Sequence, residues 1–215
     1  MDRLHFTLDD DRIKYLSEVD PTLGKLINAV GTVEVLLKND YYSSLVKQII
    51  GQQLSLKAAH TITSRVEKIW HNFDPHLLHD IKDDEIRGAG VSMPKLRYIR
   101  NLTEKHLSKE VDFSSIHLLD DKKVIEVLTS VKGIGNWTAE MFLIFSLGKL
   151  DVLSYGDVSI KNAIKWLYQI DKEAPLDLDS YYERWKPYNS IVSLYLWEAI
   201  DLGLIKKHPN ELGQS

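Results

Sequence analysis

The chain has 215 residues, 44% of them apolar and 27% charged, which reads as a soluble globular protein of one domain, or one domain built of two lobes. It contains no cysteine, which excludes a disulfide framework, a cysteine-ligated iron–sulfur cluster, a thiolate zinc site and a cysteine nucleophile. Its 27 basic against 31 acidic side chains leave a net charge of −4, which argues against a surface coated in positive charge.

The pattern is helical nearly throughout. Met1 to Asp10 has no apolar run, and no later stretch reaches the length a membrane span needs, so an intracellular protein is expected, cytoplasmic in a prokaryote or nuclear in a eukaryote. Leu45, Val46, Ile49 and Ile50 form one apolar stripe at helical spacing, interrupted at Gly51-Gln52-Gln53-Leu54. Ser55 is placed to cap a second helix with the stripe Ala59, Ile62, Val66 and Ile69. Gly90 ends a short helix, and Ser92 with Pro94 opens another through His106. Val124, Val127, Leu128 and Val131 mark a helix that runs into Gly133-Ile134-Gly135, and a further helix follows from about Asn136 to Ser146. Asp157 caps a helix through Leu167, and Asn189 to Leu202 is a last long one. Val152-Leu153 is too short to propose a sheet, and the acidic stretch from Asp171 to Glu183 reads as a solvated connection. Charge is uneven: Ile86 to Glu110 holds six basic and two acidic residues, among them Lys95, Arg97, Arg100 and Lys105. The eight histidines lack the paired spacing of a metal motif.

The most informative segment is Leu128 to Ala139. A helix ends, two glycines flank one apolar residue, and a second helix starts. Glycine permits a positive φ and close approach of a partner to the backbone. Amides at the start of a helix bind phosphate without a basic side chain. A tight helix–helix turn would need the same glycines for geometry alone, so both readings stand on this segment. Ile134 is expected to point inward.

This segment resembles the helix-hairpin-helix of the DNA glycosylase superfamily, and the likeness extends along the chain. Gly51-Gln52-Gln53-Leu54-Ser55, the loop Val152 to Asp157, Arg184 to Tyr188 and Leu194 to Trp197 resemble further motifs of that superfamily, from about residue 12 to 202. Within it the chain is most similar to the 3-methyladenine DNA glycosylase II, or AlkA-like, branch. The resemblance implies an all-α fold of two helical lobes with DNA bound across the cleft between them. It implies a helix-hairpin-helix at about 122–146, a catalytic aspartate loop at about 150–158, and a compact form without the N-terminal β domain of bacterial AlkA.

The resemblance makes Asp157 the catalytic aspartate. Breaking a base–sugar bond builds positive charge on the sugar. A carboxylate about 4 Å away at an effective dielectric near 20 contributes roughly 4 kcal/mol, on the order of a thousandfold in rate. A plain helix-capping aspartate is the alternative. Lyases of the superfamily carry a Schiff-base lysine two residues after the second hairpin glycine. Trp137 stands there and Lys132 does not match, so a monofunctional, water-using enzyme is expected. Trp137, Trp197 and Met141 match base-pocket positions. An N-alkylated purine is cationic, and an aromatic face attracts a cation by about 0.5–2 kcal/mol. Met141 replaces a pocket tyrosine and Gly156 replaces a second aspartate of bacterial AlkA, which leaves the breadth of substrates open.

Gly133, Ile134, Gly135 and Thr138 are the implied DNA-binding positions. Gln53, with Leu54 beside it, matches the wedge that fills the gap when a base is flipped out, a step that costs a few kcal/mol. Family members often hold Na⁺ or K⁺ on hairpin backbone carbonyls, and the matching positions are Thr129, Val131 and Gly133. No other cofactor is implied. The expected activity is removal of alkylated purines, of 3-methyladenine or 7-methylguanine type, from double-stranded DNA by a monomer. A glycosylase for another lesion such as hypoxanthine, and a non-catalytic helix-hairpin-helix DNA-binding module, remain as rivals.

Overall fold

A computed structural model describes residues 2–212, and it is helical almost throughout. Eleven α-helices are described: α1 (Asp11–Val19), α2 (Pro21–Val30), α3 (Tyr41–Gly51), α4 (Leu56–Ile69), α5 (Asp83–Gly88), α6 (Met93–Leu107), α7 (Asp121–Thr129), α8 (Asn136–Phe145), α9 (Val158–Leu167), α10 (Leu178–Trp185) and α11 (Asn189–Asp201). Seven of them start at an Asp or Ser whose side chain accepts a first-turn amide, which gives much of the chain its punctuation. Among the described residues no helix is long and apolar enough to cross a membrane.

The chain divides into two compact units. One runs to Leu37 and resumes at Gly148; the other is Lys38–Leu147. The Lys38–Leu147 unit holds α3 to α8. Its core is the stripe Leu45, Val46, Ile49 and Ile50 of α3, all within 1% of full burial, against α4 and α6. Trp70 closes one end of this core, fully buried, with its indole N–H donating to the Asp74 carbonyl at 2.7 Å.

The other unit contains the only sheet among the described residues, an antiparallel pair of β1 (Arg3–Phe6) and β2 (Val33–Leu36) in the register Phe6 opposite Val33. The sequence pattern predicts no element before Tyr41, where the structure has α1, α2 and these two strands. These strands are four residues each, and the alternation of buried Val33 and Val35 with exposed Glu34 and Leu36 is too brief to stand out. The stretch read as a solvated acidic connection is also corrected. Its second half is α10, capped by Asp177, which buries Leu178, Tyr181 and Trp185 on one face while its acids point outward.

Asp20 organises this unit. It caps α2 through the Leu23 amide at 3.1 Å. Its other oxygen takes the Tyr168 hydroxyl at 2.6 Å, the Trp185 indole N–H at 3.0 Å and the Arg184 guanidinium at 3.3 Å. One buried carboxylate therefore ties α2 to the end of α9 and to α10. Burial raises its pKa, but the hydroxyl, amide, indole and guanidinium donors together outweigh that and hold the carboxyl below its ordinary value.

Candidate active site

The hairpin turn forms where α7 runs out. Val131 N donates to Leu128 O and Ile134 N to Val131 O, both at 3.1 Å, which folds residues 131–134 into a tight turn with Gly133 at φ +86°. Gly133 is required for a second reason: a Cβ there would lie 2.2 Å from Cδ2 of Tyr98, inside the ring's own volume. Ile134 is 4% exposed and Thr138 is buried. Gly135 precedes α8 with an ordinary extended backbone, and its Cβ position faces open space. It gives the first turn of α8 no side-chain acceptor, unlike the seven capped helices.

The break between α3 and α4 is a second built turn. Leu54 N donates to Gly51 O at 3.1 Å, with Gln52 at φ −50°, ψ 131° and Gln53 at φ +57°. Those angles make a type II β-turn with Gln53 at the position that glycine or asparagine normally takes. A glutamine held there costs on the order of 1 kcal/mol, the kind of local strain that accumulates at functional positions. Gln53 is exposed and Leu54 is 37% exposed, so both project from the turn. The two turns touch: the Gln52 side-chain amide donates to the Gly133 carbonyl at 2.8 Å. Trp137 and Met141 lie one helical turn apart on α8, the tryptophan half exposed and the methionine buried.

Asp157 belongs to the other unit, with Trp197. The aspartate is 8% exposed, and its Oδ1 accepts the amides of Ser159 at 2.7 Å and Ile160 at 3.1 Å. Both bonds fall on one oxygen, which fixes the carboxylate plane at the start of α9. Trp197 is half-buried on α11, the helix that packs along α9.

The loop that carries Asp157 is irregular but stitched down. Asn189 Nδ2 donates to Asp151 at 2.6 Å, Val152 N to the Ser190 hydroxyl at 2.9 Å and Ser190 N to Leu150 O at 2.9 Å. The Tyr155 hydroxyl donates to Asp179 at 2.8 Å, and burial followed by that carboxylate pushes the phenol up to about 12. Sequence reasoning missed Asn189, Ser190 and Asp179, because each acts on a residue more than twenty positions away and no local pattern reports such a pairing.

Cations of the basic stretch along α6 have partners. Lys95 donates to two backbone carbonyls, Arg100 pairs with Asp83 and the carbonyls of Leu78 and Ile81, and Lys105 pairs with Glu110 at 2.6 Å. Three of the four cations are thus engaged inside their own unit.

Residues 46–188 match the family model of the HhH-GPD superfamily of base excision DNA repair proteins, and the chain belongs to that superfamily. Within it, the chain is similar in structure to a DNA-3-methyladenine glycosidase from Bacillus halodurans, at 38% identity and a TM-score of 0.86, over 99% of this chain and 100% of that one. It is similar to the 3-methyladenine DNA glycosylase of Schizosaccharomyces pombe solved with abasic DNA, at 28% identity and a TM-score of 0.77, over 89% and 97% of the two chains. In sequence it is 30% identical to DNA-3-methyladenine glycosylase 1 of the same yeast over 196 residues, 87% of this chain and 86% of that protein.

Proposed function

We propose that this chain is a monofunctional DNA glycosylase that flips alkylated purines, of 3-methyladenine or 7-methylguanine type, out of duplex DNA and hydrolyses their N-glycosidic bond, leaving an abasic site. The observation that carries this reading is Asp157, a buried carboxylate whose plane is locked by two amides at the head of α9, in a chain whose relatives are named for 3-methyladenine removal. Asp157 stabilises the positive charge that grows on the sugar as the bond breaks. Trp137, Trp197 and Met141 hold the flipped base, with the indole faces favouring a cationic purine. The amides after Gly135 hold a backbone phosphate, and Gln53 with Leu54 fills the gap in the stack.

Water is the nucleophile, because no lysine stands two residues past the second hairpin glycine. A monovalent cation on the carbonyls of Thr129, Val131 and Gly133 would add positive charge at the phosphate. The Gly133 carbonyl already accepts the Gln52 amide and the Val131 carbonyl the Ile134 amide, so an ion would share oxygens that each have two lone pairs. The chain acts on DNA as a monomer, since one base in one strand is read.

The test is twofold. DNA treated with a methylating agent should release 3-methyladenine on incubation with the protein; release of hypoxanthine or an oxidised base alone would move the assignment to another lesion. Borohydride added to protein and an abasic duplex should trap no covalent adduct, and an adduct would overturn the monofunctional mechanism.

A further inference from the structure

One face of α6 reaches both DNA-facing turns of the Lys38–Leu147 unit. Lys95, Tyr98 and Asn101 recur every three residues along it. The Lys95 ammonium donates to the carbonyl of Ile50 at 2.8 Å and to that of Gln52 at 2.7 Å, the last residues before Gln53. The Tyr98 ring lies flush against Gly133, and the Asn101 side-chain oxygen accepts the Lys132 amide at 2.9 Å. Gln52 closes the circuit by donating to the Gly133 carbonyl at 2.8 Å. The turn that carries Gln53 and the hairpin are thus each fastened to α6 and to one another.

We infer that Lys95 is a positioning residue for base extrusion: by gripping the carbonyls on the near side of Gln53, it fixes where the wedge stands relative to the hairpin amides. Three features separate this from an ordinary helix cap. A lysine at a helix C-terminus needs only one orphan carbonyl. Lys95 takes one from the end of α3 and a second from within the turn, so it constrains the turn itself. Its ammonium is partly withdrawn from water, and that desolvation lowers its pKa, a cost a freely solvated lysine would avoid. And it holds the turn in which Gln53 is kept at φ +57°, a conformation that relaxes unless its neighbours are pinned.

The inference rests on the proposed flipping function, and its test separates the two. Lys95→Met removes the ammonium and keeps the aliphatic stem; Lys95→Arg keeps a cation. Single-turnover release of 3-methyladenine is measured from a fully paired duplex and from the same base in an unpaired bulge, which needs no wedge. Lys95→Met should lose about tenfold or more on the paired duplex but less than about threefold on the bulge. Lys95→Arg should recover most of the loss, and affinity for an abasic duplex should hold within about threefold, since the hairpin amides carry it. Equal losses on both substrates, or none on the paired one, would overturn the inference. If the wild-type protein releases no base from either substrate, the proposed chemistry fails. The wedge is then read without chemistry, by fluorescence of 2-aminopurine next to an abasic analogue. Wild type should unstack the probe and Lys95→Met should not; equal signals would overturn Lys95's role.

Discussion

Gly133 and Gly135 stand two residues apart and answer to different constraints. Gly133 combines φ +86° with a tyrosine ring where its Cβ would be, so the fold needs it. Gly133→Ala should cost about 3 kcal/mol or more in denaturant unfolding, from the backbone penalty plus displacement of Tyr98. Gly135 has open space and ordinary angles, so the fold does not need it. Gly135→Ser should raise stability by about 0.3 kcal/mol, because serine caps α8 slightly better than glycine, yet weaken binding to an abasic duplex by about tenfold under the proposed phosphate contact, because the new hydroxyl would claim the first-turn amides. Unchanged DNA affinity in that variant would mean that α8 does not hold a phosphate. Both glycines were visible in the sequence as a Gly-x-Gly break. Their separate reasons were not, because Tyr98 lies thirty-five positions upstream of the turn it packs on.

At the scale of elements, the helices with long apolar stripes were legible. The spacing of Leu45, Val46, Ile49 and Ile50 located α3, and the Ser55 and Asp157 caps located the starts of α4 and α9. What escaped was mostly short or charged: β1 and β2 at four residues each, α1 with only Ile13 and Leu16 buried, and α10 hidden under its acids; α2 escaped although its Asp20 cap, Pro21 and the stripe Leu23, Leu26 and Ile27 are the same kind of signal that located α3. The hub that joins several of these, Asp20, reads locally as one more helix cap; its three donors come from residues 148 to 165 positions later. Asp20 is held below its ordinary value of about 3.8, so the unfolded chain takes up a proton at a pH where the folded chain keeps the charge. Its contribution to stability is therefore full above pH of about 4 and is lost as pH falls through the lowered native value. Asp20→Asn should destabilise by about 3 kcal/mol near neutrality, by setting an amide against buried donors. It should also flatten the decline in stability below pH of about 4, measured by urea unfolding across that range. An unchanged acid limb would remove Asp20 as its source.

For the whole molecule, the charge of −4 describes a mode of DNA binding more than an objection to it. Lys95, Arg100 and Lys105 spend their charge inside their own unit, so the basic stretch gives a duplex less than its sequence suggests. Under the proposed contact through hairpin amides, few counterions would be released. The slope of log binding constant against log salt should be shallower than about −4, at about −0.9 for each phosphate neutralised; a steeper slope, from fluorescence titration of an abasic duplex, would place basic side chains at the centre of binding. The order of motifs along the chain was readable from the sequence, and with it the superfamily. The stitching of the aspartate loop by Asn189, Ser190 and Asp179 was not, because those contacts exist only once the chain is folded.

Asp157 caps α9 and is proposed to do chemistry as well, and one substitution separates the two roles. Asparagine caps a helix as well as aspartate does but carries no charge. Asp157→Asn, compared with wild type in single-turnover release of 3-methyladenine from methylated duplex DNA, should keep its melting temperature and its affinity for abasic DNA while its rate falls by about a thousandfold. Release at the wild-type rate would contradict the account and leave Asp157 as a helix cap alone.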